Sequence, residues 1–295
     1  MIRCCIAVLL LGLTGSLAAE VILHTEKSLY RNIEVFEDGD IRCLRFTVRR
    51  RESRQSCIDP DEPDRLVLPY TPVAFGGLLI NPAPKRVLLV GLGGGTIANV
   101  FARLYPGISI DAVEIDPAVI EVARNYFNFA ERAGTRVFAQ DGRVYARRAL
   151  RNGARYDYIL VDAFDGDYIP EHLMTAEFLE ECRQLLTNQG VLVANTFSSS
   201  RLYNSESATY ESVFGDFLNL RRRFSNRVIV AAKNGLPSPG TLKSNIALVE
   251  ANLARFDIDL EQILALDRGK DWRGKARVLT DQYAPANLLR GRNDD

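Results

Sequence analysis

Lys85–Asp116 reads KRVLLVGLGGGTIANVFARLYPGISIDAVEID, and the order of its parts decides the fold. Val87–Val90 is a short apolar run that reads as a buried parallel strand. It breaks into Gly91, Gly93, Gly94 and Gly95. From Thr96 to Tyr105 the apolar residues Ile97, Val100, Phe101 and Leu104 fall at helical spacing, and Pro106-Gly107 stops the helix. A second strand, Ile108–Val113, ends on Glu114. The glycines let the backbone approach a ligand closely, and the helix N-terminus offers free N–H groups. Glu114 follows the first glycine by 23 residues and is placed to accept both hydroxyls of a ribose. The unit predicts an adenosine-containing ligand without specifying which.

The same alternation extends outward. Downstream, helices are expected at Pro117–Phe127, Arg143–Leu150, Ala176–Leu186, Ala208–Arg221 and Leu253–Leu266. Strands are expected at Arg136–Ala139, Tyr156–Val161 and Val191–Asn195, the last entered through a turn at Asn188-Gln189-Gly190. Val228–Ala232 and Asn245–Val249 read as a closing strand pair. Upstream, Leu66–Ile80 reads as a helix begun near Pro72, and Val21–Asp59 reads as β-rich, with strands at Val21–His24, Ile33–Phe36, Ile41–Val48 and Ser53–Ile58. This pattern predicts an α/β, doubly wound, mainly parallel sheet preceded by a small antiparallel one. The divisions are a leader over 1–19, a small β domain over 20–65, a nucleoside-binding catalytic domain over 66–266 and an irregular tail over 267–295.

The chain has 295 residues, 47% of them hydrophobic and 25% charged, as a soluble globular protein has. Its formal net charge is zero, which removes the electrostatic case for nucleic acid. Arginine clusters such as Arg49–Arg51 and Arg147-Arg148 read as solvated surface. At the start, a basic Met1-Ile2-Arg3 precedes apolar Ile6–Leu13 and the small residues Ser16, Ala18 and Ala19. That is the order of a secretory signal, too short for a membrane span, and it predicts a periplasmic or exported protein. An uncleaved anchor, or a cytoplasmic protein if the leader is not real, is the other reading. Of five cysteines, Cys43 and Cys57 face each other when the hairpin folds about Arg50, so export would allow a disulfide between them. Cys182 reads as a small core residue. With two histidines, His24 and His172, neither a histidine triad nor a metal site is expected.

Glu114, Asp141 and Asp162 each stand at or just past the end of an apolar strand, and such ends share one crevice in a doubly wound sheet. Each alone reads equally as a helix cap or a turn acid. Asp165 and Asp167 follow in the loop DAFDGDY. Clustered carboxylates suit a cationic ligand, and crowding raises a carboxylate's pKa enough to take a proton from an amine. By position, Asp162 and Asp165 are the candidates for that work.

With these residues in place, the sequence resembles the spermidine synthase family, in its divergent bacterial spermidine synthase-like branch. The resemblance runs from about Lys27 to Pro285 and rests on VLLVGLGGG, DAVEIDP, Asp141-Gly142, YDYILVDAFDGDYIPEHL and VLTDQYAP. It implies the methyltransferase-like Rossmann fold with a seven-stranded sheet. It implies that Gly91 and Gly93 line the donor's amino-acid or aminopropyl end, that Glu114 holds the ribose, and that Asp141 and Gly142 hold the adenine. Asp162 matches the family's proton acceptor, Asp165 an aspartate that binds substrate amine, and Tyr70 a tyrosine of the amine-binding segment. Members are often dimers or tetramers, which implies a homodimer contact at the N-terminal sheet.

The chain departs from the family pattern on the amine side. Tyr30-Arg31 stands where Tyr-Gln is usual, and Thr71-Pro72 follows Tyr70 where His or Gln and then Glu are usual. Gly94 occupies the place of an aspartate. The expected function is aminopropyl transfer from decarboxylated S-adenosylmethionine to a small-molecule amine, without a metal. The alternatives are S-adenosylmethionine-dependent methyl transfer, which the loss of the acid at Gly94 favours, and a non-catalytic exported binder of nucleosides or polyamines. A nicotinamide-binding domain is disfavoured because Thr96 stands where that fingerprint needs a third glycine.

Overall fold

The computed structural model describes residues 20–46, 54–164, 169–221 and 226–284. The leader and the hairpin tip at Arg50 lie outside these residues. The first four strands, β1 (Val21–Glu26), β2 (Ile33–Asp38), β3 (Ile41–Phe46) and β4 (Ser56–Ile58), make an antiparallel sheet in that order. Cys43 lies opposite Cys57 in the β3–β4 ladder, with the two Cα atoms 4.1 Å apart and a disulfide joining them. One face of the sheet, carrying Ile33, Val35 and Leu44, packs on Val119, Val122 and Phe127 of the main domain. That contact presses the small sheet against one end of the large one.

The large sheet uses β5 (Arg86–Val90), β6 (Ser109–Glu114), β7 (Thr135–Ala139), β8 (Tyr156–Val161), β9 (Leu186–Phe197), β10 (Leu218–Arg221) and β11 (Asn226–Ala232). Its spatial order is β10-β11-β9-β8-β5-β6-β7. The strands from β9 to β7 run parallel, and β11 is antiparallel to both β9 and β10. Helices α1 (Thr96–Leu104), α2 (Pro117–Tyr126), α3 (Gly142–Arg151), α4 (Ala176–Leu185), α5 (Tyr203–Phe214), α6 (Pro239–Leu253) and α7 (Leu260–Leu264) accompany it. The unbroken apolar run of β5 follows from burial on both sides. Val87 and Leu89 pack with Leu78 and Phe101, while Leu88 and Val90 pack with Phe178 and Leu192. Among the described residues no helix is long and apolar enough to cross a membrane.

The structure corrects several elements. The helix expected over Ala208–Arg221 begins earlier and stops at Phe214, because Gly215 turns the chain at φ 72°. Leu218–Arg221 is instead the edge strand β10, paired with β11. Asn245–Val249 is not a strand but part of α6. Ser238 caps that helix by accepting from the Thr241 N–H, and Pro239 opens it. Its buried residues Leu242, Ile246, Val249 and Leu253 recur at helical spacing, which the short apolar run Ile246–Val249 masks.

Leu66–Ile80 contains only a seven-residue 3-10 helix, Val73–Leu79, buried along its whole length. Its Gly76-Gly77 pair admits the sheet closely: a Cβ on Gly77 would lie 2.4 Å from the Tyr158 ring. The turn expected at Asn188–Gly190 is absorbed into β9, whose register against β8 shifts between Tyr156 and Tyr158. Leu253–Leu266 divides into a 3-10 turn, Ala254–Phe256, and α7. The segment from Asp267 to Ala284 has no helix or strand, yet it is anchored. Trp272 stacks on Phe217 at 4.7 Å, and Asp281 binds the Arg143 guanidinium.

Candidate active site

The chain leaves β5 toward β6 and β7, then returns to β8 on the other side of β5. That reversal opens a crevice beyond the C-terminal ends of the strands. The crevice is stitched by backbone bonds: Gly91 N–H donates to the Val113 carbonyl and Asp162 N–H to the Val90 carbonyl, both at 2.8 Å. Gly91 has φ 99°, and a Cβ there would lie 2.1 Å from the Asp162 carbonyl oxygen, so glycine is required. Gly95 precedes α1 at φ 75° and offers no side chain to its first turn, which leaves N–H groups of that turn available to a ligand.

Above these turns lies a cavity of about 490 Å³, within the range of small-molecule sites. Gly91, Gly93, Glu114, Asp141, Gly142, Asp162 and Tyr70 all line it. The three acids therefore face one space. Asp165 lies outside the described residues. The small N-terminal sheet supplies another wall through Tyr30 and Arg31, between β1 and β2, and Ser56 of β4.

Glu114 is held by the turn it follows. Its Oε2 accepts from the Leu92 N–H at 3.0 Å and its Oε1 from the Asp116 N–H at 3.1 Å. Burial raises its pKa, and these N–H groups oppose the shift without cancelling it. Asp116 accepts from Ser28 Oγ and from the Ala118 N–H, which caps α2.

Asp141 performs two tasks. One oxygen caps α3 by accepting from the Val144 N–H at 2.8 Å, and the other lies 2.7 Å from His172 Nε2. The His172 contact holds the carboxyl below its ordinary pKa. The capping role and the cavity position coexist because a carboxylate has two oxygens. Gly142 starts α3 hard against β5; a Cβ there would lie 2.4 Å from Val90 Cγ1.

Asp162 is held by side chains on both oxygens. Tyr70 OH donates to its Oδ2 at 3.0 Å, and Asn195 Nδ2 donates to its Oδ1 at 2.9 Å. Burial pushes the Asp162 pKa up, while both donors pull it down; burial prevails. Burial and the neighbouring Asp162 charge push the Tyr70 phenol well above its usual pKa, so it remains a donor.

Asn195 and His172 were not legible as site residues. Asn195 comes from a strand end that carries no acid, and His172 lies 31 residues from the Asp141 it meets. Gly94, the place of the missing aspartate, is closed off: a Cβ there would meet Ser56 Oγ at 2.7 Å and the Phe127 ring at 2.8 Å. Among the described residues no cluster of His, Cys, Asp or Glu could hold a metal. The arrangement is a slot that gathers a glycine turn, the Glu114 and Asp141 carboxylates and a half-buried Asp162 carboxylate of raised pKa.

Residues 73–218 match the family described as the spermine/spermidine synthase domain. The chain is 48% identical over 279 residues to a polyamine aminopropyltransferase of Vibrio vulnificus, covering 93% of each chain. It is 36% identical to a polyamine aminopropyltransferase of Chromobacterium violaceum, over 70% of this chain and 77% of the other. In fold it resembles a probable spermidine synthase from Corynebacterium glutamicum, with a TM-score of 0.66 at 21% identity, over 88% of this chain and 96% of that one. With nearly half of its residues shared along almost the full length of one such relative, the chain belongs to the spermine/spermidine synthase family.

Proposed function

We propose that the protein is an aminopropyltransferase that moves the aminopropyl group of decarboxylated S-adenosylmethionine onto a small amine. The observation that carries this reading is Asp162, a carboxylate of raised pKa at the glycine-turn end of an acid-lined cavity. Glu114 would accept the ribose hydroxyls, Asp141 and Gly142 would face the adenine, and Gly91 and Gly93 would run beside the aminopropyl chain. The amine must be neutral to attack. Its nitrogen forms a bond to the aminopropyl carbon beside the sulfonium as the carbon–sulfur bond breaks. The electron pair stays on sulfur, giving neutral methylthioadenosine, and the proton leaving nitrogen passes to Asp162. The sulfonium is already a good leaving group, so alignment and deprotonation are the protein's contributions.

Asp162→Asn should lower kcat by about 10²–10⁴-fold while nucleoside affinity stays within a few-fold. Undiminished turnover would remove the assigned role. One observation favours methyl transfer instead: Gly94 contributes no acid for the donor's amine. The products separate the two. Methylthioadenosine supports aminopropyl transfer, S-adenosylhomocysteine supports methyl transfer, and neither with any amine leaves a binder.

The reading extends to location. The Cys43–Cys57 disulfide supports an oxidising compartment, in keeping with the signal-like order of residues 1–19. A mature N-terminus near Ala19, measured by mass spectrometry, is the expected result, and an intact Met1 would refute cleavage of the leader.

A further inference from the structure

An ionised carboxylate only accepts hydrogen bonds, so the Asn195 side chain must turn its nitrogen toward Asp162. That leaves Asn195 Oδ1 pointing away, and Asn226 Nδ2 donates to it at 2.9 Å. The strand register produces this line. Val161 pairs with Ala194, which puts Asn195 beside Asp162 at the ends of β8 and β9. Asn195 pairs with Val228 on antiparallel β11, and Asn226, two residues before Val228, shares its face as a diagonal neighbour. Arg227 and Thr196 alternate to the opposite face, where the buried Arg227 guanidinium is bound by Thr196, Ser207 and Glu206. Asn195 itself is only 3% exposed, so its amide has no solvent to satisfy it.

We propose that Asn195 and Asn226 are a positioning pair: Asn226 fixes the Asn195 amide, and Asn195 fixes the Asp162 carboxylate in the protonation state and rotamer that receive the amine's proton. The inference rests on reading Asp162 as the proton acceptor. Neither asparagine is catalytic, because both act through Asp162. Among the described residues, the groups that face Asp162 are Tyr70 on its other oxygen, with Glu114, Asp116, Asp141, His172, Tyr30 and Arg31 elsewhere on the cavity wall. Among the described residues, only the asparagine line reaches Asp162 from the β9–β11 side of the sheet. The Asn195 bond favours the charged carboxylate, so its loss raises the pH at which Asp162 can act.

The test is the pH profile of kcat/KM for the full chain with decarboxylated S-adenosylmethionine and a diamine. Asn226→Ala should move the ascending limb upward by a few tenths of a pH unit, because the Asn195 amide loses its anchor. Asn226→Asp should move it further, by about one unit. Its carboxylate demands the Asn195 nitrogen for itself and turns the amide oxygen toward Asp162. Asn195→Leu should lower kcat about 10–100-fold at neutral pH, with partial recovery at higher pH. Calorimetry with methylthioadenosine should stay within about twofold of the parent for all three, since the nucleoside end is untouched. Asn226 is half-buried at the first residue of its strand, so its variants keep the test open if Asn195→Leu fails to fold. Profiles that superimpose on the parent for both Asn226 variants, with Asp162→Asn inactive, would overturn the positioning pair alone. An active Asp162→Asn would instead overturn the reading beneath it.

Discussion

The Tyr70 hydroxyl donates to Asp162 Oδ2 across 3.0 Å, tying the segment before the large sheet to the end of β8. The bond pulls the Asp162 pKa down against the burial that raises it. Tyr70→Phe removes that pull, so the carboxyl pKa rises further and the ascending limb of the pH–rate profile moves up. The sign for stability follows. A carboxyl whose folded pKa lies above its unfolded value is most favourable to folding in acid and loses that advantage as pH rises. The stability deficit of Tyr70→Phe should therefore grow from about pH 4 toward neutrality, reaching roughly 1–3 kcal/mol. Urea titrations across that range check it; a deficit largest in acid would contradict the assignment.

The glycine turn makes two different demands. Gly91→Ala drives a Cβ toward the Asp162 carbonyl at a positive φ, so the strand ends must separate. Nucleoside affinity should fall by at least about tenfold, with a loss of stability of a few kcal/mol. Gly94→Asp would insert a side chain against Ser56 and Phe127, where the small sheet meets α2. It should destabilise the protein by about 1–3 kcal/mol and fail to improve turnover of a diamine. Improved turnover at unchanged stability would show that this wall yields.

The Cys43–Cys57 bridge closes a separation of 14 residues. Constraint of a loop that size stabilises by about 3 kcal/mol in the chain-entropy account. Thermal melts with and without reductant should differ accordingly. Because Ser56, next to Cys57, lines the cavity, reduction should also raise the KM for the amine severalfold.

Arg31 places a cation in the wall of a cavity that also carries Glu114, Asp116, Asp141 and Asp162. It opposes a dicationic acceptor, and in a partly enclosed site such repulsion is only partly screened. Arg31→Gln should lower the KM for a simple diamine about three- to tenfold with kcat little changed. Steady-state kinetics with diamines of different length measure this, and an unchanged KM would remove Arg31 from acceptor selection.

Much of the fold was legible because its signals are local. The apolar run Val87–Val90, the glycines at 91 and 93–95 and the helical spacing of Ile97, Val100 and Phe101 specify strand, turn and helix within twenty residues. Glu114, Asp141 and Asp162 could be placed in one crevice because parallel strands all end on the same side. The reading failed where local signals conflicted. The apolar run in Asn245–Val249 resembles a strand but belongs to α6, and Leu218–Arg221 continues a helical pattern that Gly215 interrupts.

The sequence by itself determined the strand–turn–helix units and the acids at the strand ends, since both follow from short-range periodicity and from residues at the ends of strands. Only the tertiary structure decided which donors hold those acids. His172 reaches Asp141 across 31 positions, Tyr70 reaches Asp162 across 92, and Asn226 reaches Asn195 from an antiparallel strand. Such pairings are set by how crossovers bring distant segments to one sheet edge, and no spacing along the chain encodes that approach.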